Sequence, residues 1–186
     1  VGTQGLLPWP EHQFARLLIL TALYHDADGG KQTVWRAELK NKLNQLRLWA
    51  DHGPENFEHK YWLVAAELAW IDGRAADAMQ FYDRAIDGAG AGGFRQWEGI
   101  ANERAAGFWG ARGNGRLAQL FWQQAYGCYH RWGAIAKLRA MEADYHMLLA
   151  QDLAIAGPTN TQEADAANAL LEKHVRLLRA YATQTE

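Results

Sequence analysis

The chain has 186 residues, 49% hydrophobic and 22% charged, a balance that excludes wholesale disorder and suits one compact domain or one array of repeats. Nineteen Lys and Arg against 21 Asp and Glu leave a net charge of −2, so neither nucleic acid nor an anionic membrane is an expected partner. The longest apolar run, Leu17 to Tyr24, is broken by Thr21 and falls far short of the ~18 residues of a membrane span.

A single cysteine, Cys128, cannot form an internal disulfide, and a reducing, cytoplasmic setting is expected. The chain opens on Val1 with no charged and apolar leader behind it, and is read as a domain cut from a longer polypeptide.

In chain order, helices are predicted over 10–25, 32–51, 55–72, 75–89, 94–112, 116–131, 134–150 and 161–183. Pro10 and Pro54, each followed by Glu, suit a helix start, where the missing N–H is harmless and a carboxylate meets the positive end of the dipole. Gly29-Gly30, Gly53, Gly73, Gly92-Gly93, Gly113, Gly133 and Gly157 mark the stops. Within the third helix Tyr61, Val64, Ala65, Leu68 and Ile71 recur at three- and four-residue steps, the period of a helix. No segment alternates as a strand does. The run from Gly88 to Gly93 formally contains G-x-G-x-x-G, but it follows a helix with no strand nearby, so a flexible linker is expected rather than a phosphate loop.

A shift of 40 residues superposes the middle of the chain on itself. Phe57 falls on Trp97, Glu58 on Glu98, Ala65-Ala66 on Ala105-Ala106, Gly73 on Gly113, Ala78 on Ala118, Phe81 on Phe121 and Ala85 on Ala125. A helix–turn–helix unit of this kind carries more apolar surface than it can cover alone, so neighbouring units are expected to stack. The small residues let the helices of a pair approach, while Phe81, Tyr82, Phe121 and Trp122 fill the space between pairs.

Two segments carry a resemblance: Pro54-Glu55-Asn56-Phe57-Glu58-His59-Lys60-Tyr61, and Tyr129-His130-Arg131-Trp132-Gly133-Ala134-Ile135-Ala136-Lys137-Leu138. Together with Ala66-Glu67, Tyr82-Asp83-Arg84-Ala85-Ile86 and Ala101-Asn102-Glu103, they make residues 13–145 similar to the tetratricopeptide-like region of large bacterial and fungal signalling proteins. In those proteins the region lies between an AAA-type ATPase and GAF or PAS sensors with a histidine kinase. The resemblance implies a scaffold or relay role and no catalytic residues here.

The candidate partner-binding residues lie mainly on first helices of the pairs. Asn56, Lys60, Leu63, Glu67 and Trp70 share one stripe by 4-3-4-3 spacing, His59 flanks it, and Asn102 and Glu103 come from the next first helix. Trp132 and Lys137 extend the set toward the last pair. In a stacked array these side chains face a concave surface suited to a protein or peptide. Pairing across helices to fix the stacking angle is the competing and preferred reading. For each tryptophan, core filler between pairs competes with a binding hot spot.

Other polar constellations read as ordinary structure. His25-Asp26-Ala27-Asp28 is a polar turn without the ligand series of a calcium loop, and no H-E-x-x-H occurs among the seven histidines, so no metal or cofactor is expected. Cys128 and His130 stand two positions apart and cannot face one another on a helix; a small buried thiol is expected.

The expected architecture is all-α: a right-handed α-solenoid of tetratricopeptide-like helix pairs over 1–157, with a divergent first pair at 1–53. A linker and an extra C-terminal helix follow over 158–186. The stripe Leu170, Leu171, His174, Val175, Leu178 and Tyr181 on that helix packs back on the repeats or pairs two chains as a homodimer. The expected function is non-catalytic protein–protein interaction and signal relay between neighbouring domains. A small-ligand sensor with an aromatic-lined pocket is the alternative, and a hydrolase would need Glu67 and Glu103 to converge on a metal or a water.

Overall fold

A computed structural model describes residues 8–144. The order is α1 (Pro8–Leu23), α2 (Gly29–His52), α3 (Pro54–Ile71), α4 (Ala75–Ala91), α5 (Arg95–Ala111) and α6 (Gly115–Trp132), with a seventh helix, α7, over 135–144. There is no strand among the described residues. The predicted helix over 161–183 lies outside them.

Local chemistry sets the ends. Asp28 caps α2 by accepting from the Lys31 amide at 3.0 Å, so the polar turn ahead of it serves as a helix start. Asn114 caps α6 through the Leu117 amide at 3.2 Å, and Pro54 opens α3.

Four helix ends are closed by one repeated device. Gly73, Gly93, Gly113 and Gly133, twenty residues apart, all take positive φ of 73 to 80°. The amide of the residue after each glycine bonds back five positions, as Arg74 does to Ala69 at 2.8 Å, Phe94 to Ala89 at 2.9 Å, Asn114 to Trp109 at 3.0 Å and Ala134 to Tyr129 at 3.0 Å. This closure satisfies orphan carbonyls and needs a left-handed residue, which glycine supplies without a Cβ clash. The 40-residue recurrence of the sequence is thus a doubled 20-residue helix–turn step.

The Gly88–Gly93 segment is not the linker its composition suggests. α4 runs unbroken through Ala91, Ala89 is buried, and a Cβ on Gly88 would stand 3.3 Å from the Cβ of His59. The small residues let α4 approach its neighbours, Gly88 facing His59 of α3 and Gly90 facing Glu98 of α5, and only Gly92 and Gly93 turn the chain.

Consecutive helices pack against one another, and α3 also meets α1 and α5. The larger core joins Phe14, Leu17 and Leu20 of α1 to Leu63, Val64 and Ala66 of α3, Tyr82 of α4, and Ala101, Ala105 and Phe108 of α5. A smaller core gathers Ala125, Tyr126 and Tyr129 of α6 with Leu138 and Met141 of α7. Many residues paired by the 40-residue shift keep like environments: Ala65, Ala66, Ala105 and Ala106 are buried, as are Ala85 and Ala125, while Phe81 and Phe121 both pack at the edge of the larger core; Ala78 is buried but Ala118 only partly so, and Glu58 is more exposed than Glu98. The result is a helical-repeat-like, all-α fold.

Candidate functional site

Lys60 and Glu67, picked out on the first helices, turn inward, and with Glu103 they centre three separate clusters. In the first, the Lys60 ammonium is only 4% exposed and donates to Glu11 Oε1 of α1. Three rings surround it, with centroids at 5.3 Å for Phe57, 6.0 Å for Phe94 and 5.7 Å for Trp97. Ring quadrupoles favour the cation, and the carboxylate neutralises it. Phe14 packs edge-on against Trp97 at 4.9 Å beside this cluster.

The second cluster is centred on Glu67, 1% exposed. Its carboxylate accepts from the Tyr82 hydroxyl at 2.7 Å and from both Nε (2.8 Å) and an Nη of Arg104. Burial opposes the charge on Arg104, but the hydrogen bond and charge of Glu67 outweigh it and hold the guanidinium above its ordinary range. Burial and then the same carboxylate push the Tyr82 phenol well upward.

The third cluster repeats this plan one pair later. Glu103 accepts from the Tyr129 hydroxyl at 2.7 Å and from Lys137 Nζ at 2.7 Å, and the ammonium lies 5.7 Å from the Tyr129 ring. A glutamate on one odd-numbered helix therefore reaches a cation on the next odd-numbered helix three times: Glu11 to Lys60, Glu67 to Arg104 and Glu103 to Lys137. In the second and third rungs a tyrosine from the intervening even-numbered helix completes the carboxylate's partners.

The remaining candidates stand apart from these rungs. Asn56 is exposed and bonds Glu55 at 3.2 Å. Trp70 is half-buried between His25 and Phe108, with centroids at 5.4 and 5.7 Å. Asn102 is buried; its Nδ2 donates to the Glu98 carbonyl at 2.9 Å, and its Oδ1 has no partner. His59 is buried and stacked on Phe94 at 4.6 Å, with Nε2 unpartnered. Burial, reinforced by Lys60, lowers its pKa to about 4. Trp132 is 52% exposed at the α6–α7 corner.

Residues that spacing alone does not single out complete the clusters: Glu11, Tyr82, Arg104 and Tyr129. The signal available in the sequence is complementary charge on successive first helices, Glu on one and Lys or Arg on the next.

Two clefts open between even-numbered helices, at places related by the 40-residue shift. One, of about 500 Å³, lies between α2 and α4 and is lined by Glu58, Tyr61, Trp62 and Phe81. The other, of about 200 Å³, lies between α4 and α6 and is lined by Ile86, Glu98, Asn102 and Cys128. In the first, Trp62 donates to Glu58 at 3.1 Å and carries Arg84 on its face at 4.4 Å. In the second, burial and then the charge of Glu98 push the Cys128 thiol up to about 11, so it stays protonated near neutrality. That is the small buried thiol expected from its helix.

Among the described residues, no group of three or more His, Cys, Asp or Glu is placed to hold a metal ion, and no helix is long and apolar enough to cross a membrane. Compared with protein-family models, with curated proteins and with solved structures, the chain finds no match.

Proposed function

We propose that this chain is a tetratricopeptide-like α-solenoid that binds a protein or peptide and relays signals between neighbouring domains of a larger cytoplasmic signalling protein. The observation that carries the reading is the recurrence of the Glu-to-cation rung across α1, α3, α5 and α7. Such rungs fix the angle between successive units, and stacked units of this kind offer an extended surface along their first helices. The tetratricopeptide-like and right-handed character, the relay role and the flanking ATPase and sensor domains rest on the sequence resemblance.

A binding role also suits the carboxylates. Glu67 and Glu103 are each engaged by a phenol and a cation, and they belong to different rungs rather than to one reaction centre. The test is selection of peptides from a displayed library on the immobilised full chain, followed by hydrogen-exchange mapping. Binders whose footprint falls on α3 and α5 support the reading, and a selection that yields none removes it.

The cleft of about 500 Å³ with Tyr61, Trp62 and Phe81 on its wall favours a second reading, a small-ligand sensor. Quenching of tryptophan fluorescence by a metabolite, abolished in Trp62→Leu, would favour that reading.

A further inference from the structure

The ammonium of Lys60 is almost fully buried, and the carboxylate that neutralises it is supplied by α1. Glu11 itself is 46% exposed, so the pair joins a fixed, buried cation to an anion at the edge of the fold. Behind Glu11 the apolar contacts of α1 follow at three-residue steps: Phe14, Leu17 and Leu20, all buried in the larger core. Phe14 reaches past α3 to Trp97 of α5.

α1 is attached unlike the helices after α3. It is joined to α2 by five residues, 24–28, whereas α3 to α6 are linked by three-residue turns with a left-handed glycine. Its side-chain ion pair to α2 is the surface bridge Arg16–Glu38 at 2.7 Å. Its outer face carries exposed Ile19 and Leu23. α1 thus lies on α3, and reaches α5, as a short helix that buries Phe14, Leu17 and Leu20 and whose one buried charge contact is the Lys60 socket.

We propose that α1 occupies in cis the docking site of this domain. The partner is an amphipathic helix with the same pattern, a carboxylate followed at three-residue intervals by Phe and two Leu, that displaces α1. The carboxylate is obligatory, because a buried ammonium stripped of Glu11 keeps its desolvation cost unless another anion replaces it. The three apolar positions match the helix-in-groove mode of recognition. This rests on the interaction reading above and names the partner's chemistry.

The test uses the full chain and a fluorescein-labelled peptide of residues 8–25 as the probe. Leu17→Ala/Leu20→Ala in the chain weakens the resident helix away from the rings around Lys60, and should raise peptide affinity at least tenfold over the unsubstituted chain. Glu11→Gln in the peptide should lower affinity about tenfold, as loss of a charge-assisted bond implies. Adding Lys60→Met to the chain should make the two peptides bind alike. Peptide binding to the unsubstituted chain should also speed amide exchange in α1.

Three results would overturn the proposal. Loss of the folded state in Leu17→Ala/Leu20→Ala would make α1 an integral part of the core. Peptide bound with α1 still protected would place binding elsewhere. A dimer that exchanges α1 between protomers would assign the site to a second copy. Each leaves the interaction reading standing, which falls only if the displayed library yields no binder.

Discussion

Glu67 and Arg104 lie on α3 and α5 and form a two-point pair at the centre of the fold, with Nε of the guanidinium 2.8 Å from Oε1 and the Tyr82 hydroxyl bonded to the same carboxylate. Removing one member leaves a charge without its counterpart where water cannot compensate. Arg104→Met should therefore cost about 3 kcal/mol, the low end for a broken buried pair because Arg104 is partly exposed. Glu67→Gln combined with Arg104→Met should recover at least ~1 kcal/mol of that loss. Arg104→Lys should not restore the original stability, since an ammonium cannot make the two-point contact. Urea unfolding of the parent, these three variants and single Glu67→Gln measures all three, and additive losses of the two single variants would show that the pair is not coupled.

His59 makes the fold sensitive to acid. Its pKa is lowered to about 4 in the folded chain from an ordinary 6.5, so below pH 6.5 the unfolded chain binds the proton first. The stabilisation is complete above about pH 6.5 and is lost as pH falls toward 4. Between pH 7 and pH 5 the loss from this one group is about 2 kcal/mol. His59→Phe keeps a ring on Phe94 and removes an unpartnered nitrogen, so it should match or exceed the parent stability at pH 7. Urea midpoints at the two pH values, compared between parent and variant, isolate the His59 share; an undiminished acid loss in His59→Phe would place the effect elsewhere.

The helices and their recurrence are legible because glycine and proline punctuate the chain and because small and aromatic residues repeat at the 40-residue step. Sequence reasoning ends α4 too early for a physical reason. Gly88, Gly90 and Gly92 have poor helix propensity in isolation, yet the contact of Gly88 with His59 rewards the absence of a side chain. Spacing also tells which residues share the α3 stripe, but not what faces it. Lys60 and Glu67 find Glu11 and Arg104, which stand 49 and 37 residues away in the chain, and only the packing of α1 and α5 on α3 brings those together. The C-terminal stripe at Leu170 to Tyr181 falls outside the described residues.

Glycine substitutions should change sign with position. Gly113 has φ of 73° at a helix end, where an L side chain is strained, so Gly113→Ala should cost about 1 kcal/mol. Gly107 sits six residues earlier, inside α5, exposed and with open space where a Cβ would stand, so Gly107→Ala should add about 1 kcal/mol through helix propensity. Thermal melts of the two single variants should move in opposite directions, and Gly73→Ala and Gly133→Ala should follow Gly113→Ala, because all three close their helices by the same bonds.

Cys128 should report opening of the α5–α6 contact. It is buried, and its thiol is held near 11 by burial and by Glu98, so thiolate is scarce at pH 8 and the sulfur is out of reach of solvent. A disulfide reagent such as dithionitrobenzoate should label the folded chain at the rate of opening and the urea-unfolded chain at once. Gly99 gives the control. A Cβ there would lie 3.0 Å from the Tyr129 ring and 3.3 Å from the Cβ of Cys128, and would press Tyr129 away from Glu103. Gly99→Ala should cost about 1–3 kcal/mol by overpacking, and should speed thiol labelling by more than Gly113→Ala does. Acceleration in proportion to each variant's stability loss would mean that labelling follows global unfolding, and that the α5–α6 contact has no separate opening of its own.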